Sequence, residues 1–225
     1  MKPLLIKQQM NLEKLKPCID RIKAGEPFLF VTLADSNTNN THFSNGAKQW
    51  PELLAAELKS QYKTQRVLVL NAGVSGDSIR EAMARFDTDV ARFRPELTIL
   101  SLGSNDSKRL TDDEFREGLN CCFGQLADLG SAVLLLTPTP VKELEPAPPH
   151  IWKGDDQLRA KVAVLREFAV QRGVAMVDIY EAWQEMDRAG TLDISTLTCD
   201  EVHLNADGHA LIFRQLAPAF GLSLQ

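Results

Sequence analysis

Five short apolar runs recur along the chain and constrain its fold more than any other feature of the sequence. They occupy residues 27–33, 66–70, 97–102, 132–136 and 174–179, and polar residues interrupt them only rarely. Nearly continuous apolar strands are typical of a parallel sheet covered on both faces, because neither face then carries polar side chains. We therefore predict five buried parallel strands.

Amphipathic segments separate these runs and predict helices in the connections. They span residues 50–62, 78–93, 111–129, 155–172, 180–187 and 205–220. Regular alternation of strand and helix implies right-handed crossovers, which place helices on both faces of the sheet. The predicted fold class is α/β, a three-layer α/β/α sandwich around a five-stranded parallel sheet. Ligands bind such sheets beyond the carboxyl ends of the strands, so functional residues are expected directly after each strand.

A single domain is predicted over residues 27–225, because no shift in composition divides the chain. A helical extension is predicted over residues 1–26, since leucine and isoleucine recur at helical spacing between residues 12 and 23. Residues 138–154 contain five prolines and predict a long loop. This loop either covers the substrate or only connects two elements.

Charge and composition exclude several classes of partner. The 225-residue chain has a net charge of −5 and no basic stripe, which argues against nucleic acid or an anionic membrane surface. No apolar run approaches the ~18 residues of a membrane span, and the first residues do not resemble a signal peptide. Four cysteines without a C-x-x-C pair favour reduced thiols in the cytoplasm, and no histidine has metal-ligand spacing to them. The oligomeric state is left open.

A candidate nucleophile follows the first strand. Ser36 lies in a polar turn at the strand end, and a serine hydroxyl needs a base that is itself oriented by an acid. Asp200 and His203, three residues apart near the end of the sequence, supply both groups. The Asp200 carboxylate is expected to bond Nδ1 of His203 and leave Nε2 for Ser36. We predict a catalytic group of Ser36, Asp200 and His203.

Two further segments supply donors for a developing oxyanion. Gly76 follows the second strand, where a glycine lets a backbone N–H face a substrate, and Asn105 follows the third. Together with the Ser36 backbone N–H, these groups predict an oxyanion hole with three donors. Asp35 and Asp106 flank this site, and we assign them to orienting the reacting groups rather than to the reaction itself.

These segments resemble the sequence motifs of a known family, the SGNH or GDSL hydrolases. The resemblance rests on four ordered blocks, around Ser36, Gly76, Asn105 and Asp200 to His203, and the helix beginning at Trp50 is similar to the thioesterase and lysophospholipase branch. It implies a flavodoxin-like sandwich and hydrolysis of acyl esters through an acyl-enzyme, with no metal or other cofactor. The partner it implies is a small-molecule ester. Its acyl chain and its alcohol are left open, although the lack of a long apolar insertion favours a short acyl group.

One residue departs from the family pattern. Ala34 occupies the position before Asp-Ser where the family usually has glycine, and an alanine would be strained there if that position required a positive φ.

Several simpler interpretations compete with these assignments. The literal Gly-Asp-Ser ends at Ser78, but Ser78 with Glu81 fits a helix capping box better than a nucleophile. His209 is expected to serve packing or capping, His42 to be a solvated loop histidine, and Cys199 to be a buried thiol. A nucleotide-binding domain and an aspartyl-phosphate phosphatase match the motifs poorly. A non-catalytic carbohydrate- or lipid-binding protein, and an enzyme for longer acyl chains, remain as alternatives.

Overall fold

A computed structural model describes residues 9–38, 43–141, 156–200 and 202–224 of the chain. His42, Trp152 and most of the predicted 138–154 loop lie outside these described residues.

The described residues contain a six-stranded sheet. Its strands are β1 (Gln9–Met10), β2 (Phe28–Ala34), β3 (Val67–Gly73), β4 (Leu97–Ser101), β5 (Ala132–Leu136) and β6 (Ala175–Val177). Their order across the sheet is β1-β6-β5-β4-β2-β3, and β2 to β6 pair in parallel. These five parallel strands have the order of a flavodoxin-like sheet, so the predicted fold class is confirmed.

Helices cover both faces of the sheet. They are α1 (Lys16–Lys23), α2 (Trp50–Gln61), α3 (Ile79–Ala84), α4 (Phe86–Asp89), α5 (Asp106–Arg109), α6 (Asp112–Leu129), α7 (Asp156–Arg172), α8 (Ile179–Arg188) and α9 (Ala206–Leu216). One core cluster joins the sheet to α1, α2, α8 and α9, and a second joins it to α3, α4, α6 and α7. Along β2, Phe28 and Phe30 enter the first cluster, whereas Val31 and Leu33 enter the second. This alternation explains why the strand has to be apolar along its whole length.

The segment predicted as an N-terminal helical extension does more than extend the chain. It contains α1 as expected, but it also supplies β1, which pairs antiparallel with β6. Leu15, Cys18 and Ile22 are buried in the core cluster of α2, α8 and α9. The predicted count of five strands is therefore wrong by this one edge strand, whose two residues are too few to show a period in the sequence.

The predicted helix at 78–93 is broken into shorter pieces. α3 ends at Ala84 and α4 at Asp89, and a 3-10 turn follows over Ala91–Phe93. The predicted capping box of Ser78 with Glu81 is confirmed, and Thr111 with Glu114 forms a second one at the start of α6. None of the helices in the described residues is long and apolar enough to cross a membrane.

His209 is a buried histidine on α9. Only 1% of the residue is exposed, and its Nδ1 has no hydrogen-bond partner among the described residues. Burial disfavours the charged imidazolium and lowers the pKa of His209 to about 4 from its ordinary value of 6.5. The expectation that His209 serves packing is therefore consistent with its surroundings.

The lowered pKa of His209 predicts a specific loss of stability in acid. Below about pH 6.5 the unfolded chain binds a proton at this residue that the folded chain does not bind until about pH 4. We expect the free energy of unfolding of wild type to fall by about 2–3 kcal/mol between pH 7.5 and 4.5, relative to His209→Gln. Urea denaturation of both proteins at the two pH values measures this difference. A difference that does not change with pH would contradict the prediction.

Candidate active site

The turn that carries Ser36 begins directly after β2. Oδ1 of Asp35 accepts the Asn37 backbone N–H at 2.9 Å, and the Asp35 carbonyl accepts the Thr38 N–H at 3.2 Å. The Asn71 side chain, at the end of β3, donates to the Thr38 carbonyl at 2.7 Å. Ser36 is 7% exposed. The turn is thus fixed on both sides of Ser36, at the carboxyl end of the sheet.

Ala34 fits its position without strain. It is the last residue of β2, it is fully buried, and it is not among the described residues with a positive φ. Its carbonyl accepts the Val74 N–H at 3.0 Å, as a strand residue can whatever its side chain. The alanine that replaces the family's usual glycine therefore causes no backbone strain here.

Asp200 and His203 form a hydrogen-bonded pair, as predicted from their spacing. His203 Nδ1 lies 2.7 Å from Asp200 Oδ2, and Oδ1 of Asp200 accepts the backbone N–H groups of His203 at 2.6 Å and Val202 at 2.8 Å. Burial acts to raise the pKa of Asp200, but these hydrogen bonds outweigh it and lower the pKa below its ordinary value. Asp200 is therefore held as a carboxylate that fixes the imidazole with Nε2 pointing away from it.

A direct hydrogen bond joins the histidine loop to the serine turn. Oδ1 of Asn37 accepts the Leu204 backbone N–H at 3.3 Å, across 167 positions of sequence. Within the loop, the Cys199 N–H donates to the His203 carbonyl at 2.9 Å, and an isolated bridge pairs Thr198 with Leu204. Ser36 directly precedes one partner of this bond, Asn37, and His203 directly precedes the other, Leu204.

The predicted oxyanion donors follow the two strands that flank β2. Gly76 has a φ of +84°, a conformation that favours glycine, in a turn closed by the Asp77 N–H on the Val74 carbonyl. In the described part of the chain, neither the Ser36 nor the Gly76 backbone N–H donates to a protein acceptor. Asn105 uses one N–H of its amide on the Asp77 carbonyl, at 3.0 Å, which leaves the second for another acceptor.

Asp106 ties together the two segments that carry the predicted oxyanion donors. It is fully buried, and its carboxylate accepts the Ile79 N–H at 2.8 Å and the Gly103 N–H at 2.9 Å. These bonds join the first turn of α3 to the segment after β4. Burial raises the pKa of Asp106 to about 6 despite these donors.

Asp35 is the second buried carboxyl group beside the site. Burial raises its pKa to about 7, and the nearby carboxylates of Asp106 and Asp77 add to the shift. Both Asp35 and Asp106 therefore hold backbone in place at an electrostatic cost, and the orienting role assigned to them stays a prediction.

Ser78 is engaged as a helix cap. Its backbone N–H donates to Oε2 of Glu81 at 2.8 Å, its hydroxyl lies 2.5 Å from the same oxygen, and it also accepts the Arg80 N–H at 3.2 Å. No histidine takes part in these contacts, which leaves Ser78 without the base that a nucleophile needs.

Phe43 is a site residue that sequence reasoning missed. Its ring stacks on the His203 imidazole, with centroids 3.9 Å apart and planes within 3°. Its carbonyl accepts a hydrogen bond from the Cys199 thiol at 2.7 Å. Cys199 is exposed rather than buried, which corrects the expectation for it. A single aromatic residue in a loop has no periodic signal, so neither contact was foreseeable from the sequence.

Little space lies behind the serine turn. The cavity there has a volume of about 10 Å³, and Asp35, Asn37, Ser104 and Thr137 contribute to its wall. A cavity of this size holds at most about one water molecule. Within the described ranges, no group of three or more His, Cys, Asp or Glu residues is arranged to hold a metal ion.

Comparison with known proteins identifies one family. A sequence model described as the GDSL-like lipase/acylhydrolase family matches residues 35–211. An acetylxylan esterase from Geobacillus stearothermophilus is 26% identical over 220 residues, which cover 89% of this chain and 96% of that protein. An uncharacterized lipoprotein, YqeF, from Bacillus subtilis is 28% identical over 124 residues, 50% of this chain and 49% of that one.

Solved structures of similar proteins share the fold. The acetyl xylan esterase AlAXEase superposes with a TM-score of 0.71 at 22% identity, covering 85% of this chain and 99% of that one. Structures of the Geobacillus esterase include catalytic mutants in which a serine, an aspartate or a histidine is replaced by alanine. In that esterase the aspartate precedes the histidine by three residues, the separation seen between Asp200 and His203.

The stack of Phe43 on His203 predicts a role in holding the imidazole. We expect Phe43→Leu to lower kcat for p-nitrophenyl acetate by about tenfold, because the ring loses one of the contacts that fix its orientation and a charged imidazole loses an aromatic face. Phe43→Tyr keeps the stack and should retain most of the activity. Equal rates for Phe43→Leu and Phe43→Tyr would show that the stack has no part in the reaction.

Proposed function

The chain belongs to the GDSL-like lipase/acylhydrolase family, and we propose that this serine esterase removes acetyl groups from carbohydrates. Its nucleophile is Ser36, its base is His203, and Asp200 is the carboxylate that orients His203. The hydrogen bond from the Leu204 N–H to Asn37 is the observation that carries the assignment. It couples the loop of the Asp200–His203 pair to the turn of Ser36, and no hydrogen bond between described residues couples that loop to Ser78.

The first half of the reaction forms an acyl-enzyme. Ser36 Oγ attacks the ester carbonyl while Nε2 of His203 takes its proton, and Asp200 stabilises the imidazolium that results. The carbonyl oxygen becomes an oxyanion among three donors: the N–H groups of Ser36 and Gly76 and the free amide N–H of Asn105. Collapse of this intermediate breaks the bond to the alcohol, which receives the proton from His203.

Attack of water on the acyl-enzyme completes the reaction. His203 takes a proton from the water as it attacks the acyl group on Ser36, and the same donors hold the second oxyanion. Collapse releases the carboxylic acid and returns the proton to Ser36. The lowered pKa of Asp200 supports this role, because its carboxylate stays ionised while His203 exchanges protons.

An acetyl group is the acyl group that the surroundings of Ser36 support best. Among the described residues, the cavity behind the serine turn has a volume of about 10 Å³, so an acyl chain finds no room on that side of the turn. The similar proteins include esterases that are named for acetylated xylan or its oligosaccharides. We therefore place the acetylated sugar on the open side of the turn.

We further propose that the enzyme works in the cytoplasm. All four cysteines are free thiols, and burial raises the pKa of Cys18 to about 11 and of Cys122 to about 12, which keeps both thiols unreactive. The relative named as a lipoprotein aligns with only half of this chain. Fractionation of cells expressing the natural gene, followed by an esterase assay of each fraction, tests this location.

Replacing the two candidate serines separates the nucleophile from the cap. We expect Ser36→Ala to lower kcat on p-nitrophenyl acetate by at least about 10³-fold, because no hydroxyl remains to form the acyl-enzyme. Ser78→Ala should keep kcat within a few-fold and lower the free energy of unfolding by about 1 kcal/mol, the usual cost of a lost cap. Turnover that survives Ser36→Ala, or that Ser78→Ala alone abolishes in a folded protein, would refute the assignment.

A chain-length series tests the acyl group. We expect kcat/KM for p-nitrophenyl acetate to exceed that for the octanoate ester by at least about tenfold, since the longer chain finds no pocket behind Ser36. Release of acetate from acetylated xylo-oligosaccharides, followed by an enzymatic acetate assay, tests the alcohol. An octanoate preference would favour a lipid or thioester substrate, and the absence of any Ser36-dependent hydrolysis would favour a binding protein.

A further inference from the structure

Arg85 joins three segments of the chain immediately beside the proposed site. The Arg85 side chain is 17% exposed, and the residue directly follows Ala84, the last residue of α3. Nε donates to Asp77 Oδ2 at 2.6 Å, Nη1 to Asp89 Oδ2 at 2.7 Å, and Nη2 to the Ala34 carbonyl at 3.2 Å. The guanidinium therefore uses all three of its nitrogens on different partners, yet none of the reaction steps above requires it.

One of these partners is the end of the nucleophile strand. Ala34 lies two residues before Ser36, and its carbonyl accepts both the Val74 N–H and the Arg85 guanidinium. Val74 belongs to the turn that leads to the oxyanion glycine. Arg85 therefore reinforces the point at which the serine segment and the glycine segment meet.

The second partner has contacts with both other oxyanion segments. Asp77 directly follows Gly76, and its backbone carbonyl accepts the amide N–H of Asn105 at 3.0 Å. Its side chain is only 9% exposed, and Arg85 is the cation paired with it. Any displacement of Asp77 would therefore move the Gly76 N–H and rotate the Asn105 amide together.

The chemistry of this contact favours arginine. A guanidinium is planar and donates in several fixed directions, so it can bond a carboxylate on one edge and a carbonyl on another. A lysine ammonium on a flexible chain would pair with Asp77 or with Ala34, but it has no rigid fork to hold both. Removing the charge altogether would leave the buried Asp77 carboxylate unpaired, and this is costly in a poorly solvated place.

We propose that Arg85 is a positioning residue that sets the geometry of the oxyanion hole, acting through Asp77 and Ala34. This inference rests on the proposed function, because it concerns the donors assigned to Ser36, Gly76 and Asn105. Arg85 does not touch the substrate. Loss of Arg85 displaces the donors that are needed when negative charge develops. It leaves the binding of the uncharged ester unchanged.

Kinetics of four variants test the inference, with p-nitrophenyl acetate as substrate. Arg85→Gln and Arg85→Lys should lower kcat by about 10- to 100-fold and leave KM within threefold, because a displaced oxyanion donor weakens mainly the transition state. Asp77→Asn, which is nearly isosteric, should give the same pattern. Arg80→Gln is the matched control: this arginine lies on α3, which ends just before Arg85, and is 64% exposed in a pair with Glu114, so kcat of this variant should not change.

An oxyanion-forming inhibitor provides a second readout. A trifluoromethyl ketone that adds to the serine hydroxyl creates the same charge, so its affinity should fall in Arg85→Gln by the same factor as kcat/KM. The affinity of acetate, a product that forms no tetrahedral adduct, should be retained. Thermal denaturation shows which variants are folded at the assay temperature. If Arg85→Gln is unfolded, Asp77→Asn and Arg85→Lys take its place in both measurements.

Two results would overturn the inference. The first is an unchanged kcat in folded Arg85→Gln and Asp77→Asn. The second is a loss of kcat with undiminished affinity for the trifluoromethyl ketone. Ser36→Ala, assayed in parallel, separates this outcome from a failure of the proposed function. If Ser36→Ala is inactive while Arg85→Gln is unimpaired, only the role of Arg85 is wrong, whereas an active Ser36→Ala enzyme refutes the nucleophile itself.

Discussion

The parallel register of β2 with its two neighbours is the constraint on which the site depends. Ala34, the last residue of β2, pairs with Gly73 of β3 on one side and with Ser101 of β4 on the other. The three strands therefore end together, and the three following loops start from one edge of the sheet. A slip of one residue would turn every side chain of the strand to the opposite face, and because the two faces pack against different helices, the close packing of the two cores fixes the place of the serine turn.

Polar groups around this edge are held at a cost that the apolar core has to offset. Asp35 and Asp106 are buried carboxyl groups whose pKa values rise to about 7 and about 6. Asp35 accepts the Asn37 N–H within the serine turn, and Asp106 accepts the N–H groups of Ile79 and Gly103 from two other segments. Buried polar networks of this kind rigidify a site when every member is bonded, and an unbonded member would be costly. Asp106 therefore cross-links two loops that the sheet alone leaves separate, whereas Asp35 fixes the turn of Ser36 from within.

Much of this arrangement was predictable from local patterns. The five parallel strands follow from apolar runs, the cap at Ser78 from a four-residue motif, and the Asp200–His203 pair from a separation of three residues. Each of these signals lies within one short stretch of sequence. A glycine was the expected residue at position 34, yet an extended strand end accepts alanine equally well, so motif comparison alone overstated the importance of that departure.

The features that were missed depend on contacts between distant segments. Phe43 meets His203 across most of the chain, and Arg85 meets Ala34 across 51 positions. Neither residue differs in type or spacing from an ordinary loop aromatic or a surface arginine. The edge strand Gln9–Met10 was missed for a related reason, since its conformation comes from pairing with β6 and not from its own two residues.

The hydrogen bond between Asn37 and the Leu204 N–H has a further consequence for when activity arises during folding. It closes a loop of 167 positions, so we expect it to form late, when the strands and helices between its ends bring the two segments together. The serine turn can form earlier, but under the proposed mechanism it then lacks His203 as its base. Partly folded chains, and chains in which the segment around α9 has detached, therefore hold a serine that is chemically silent. In this protein, esterase activity reports the integrity of the whole fold.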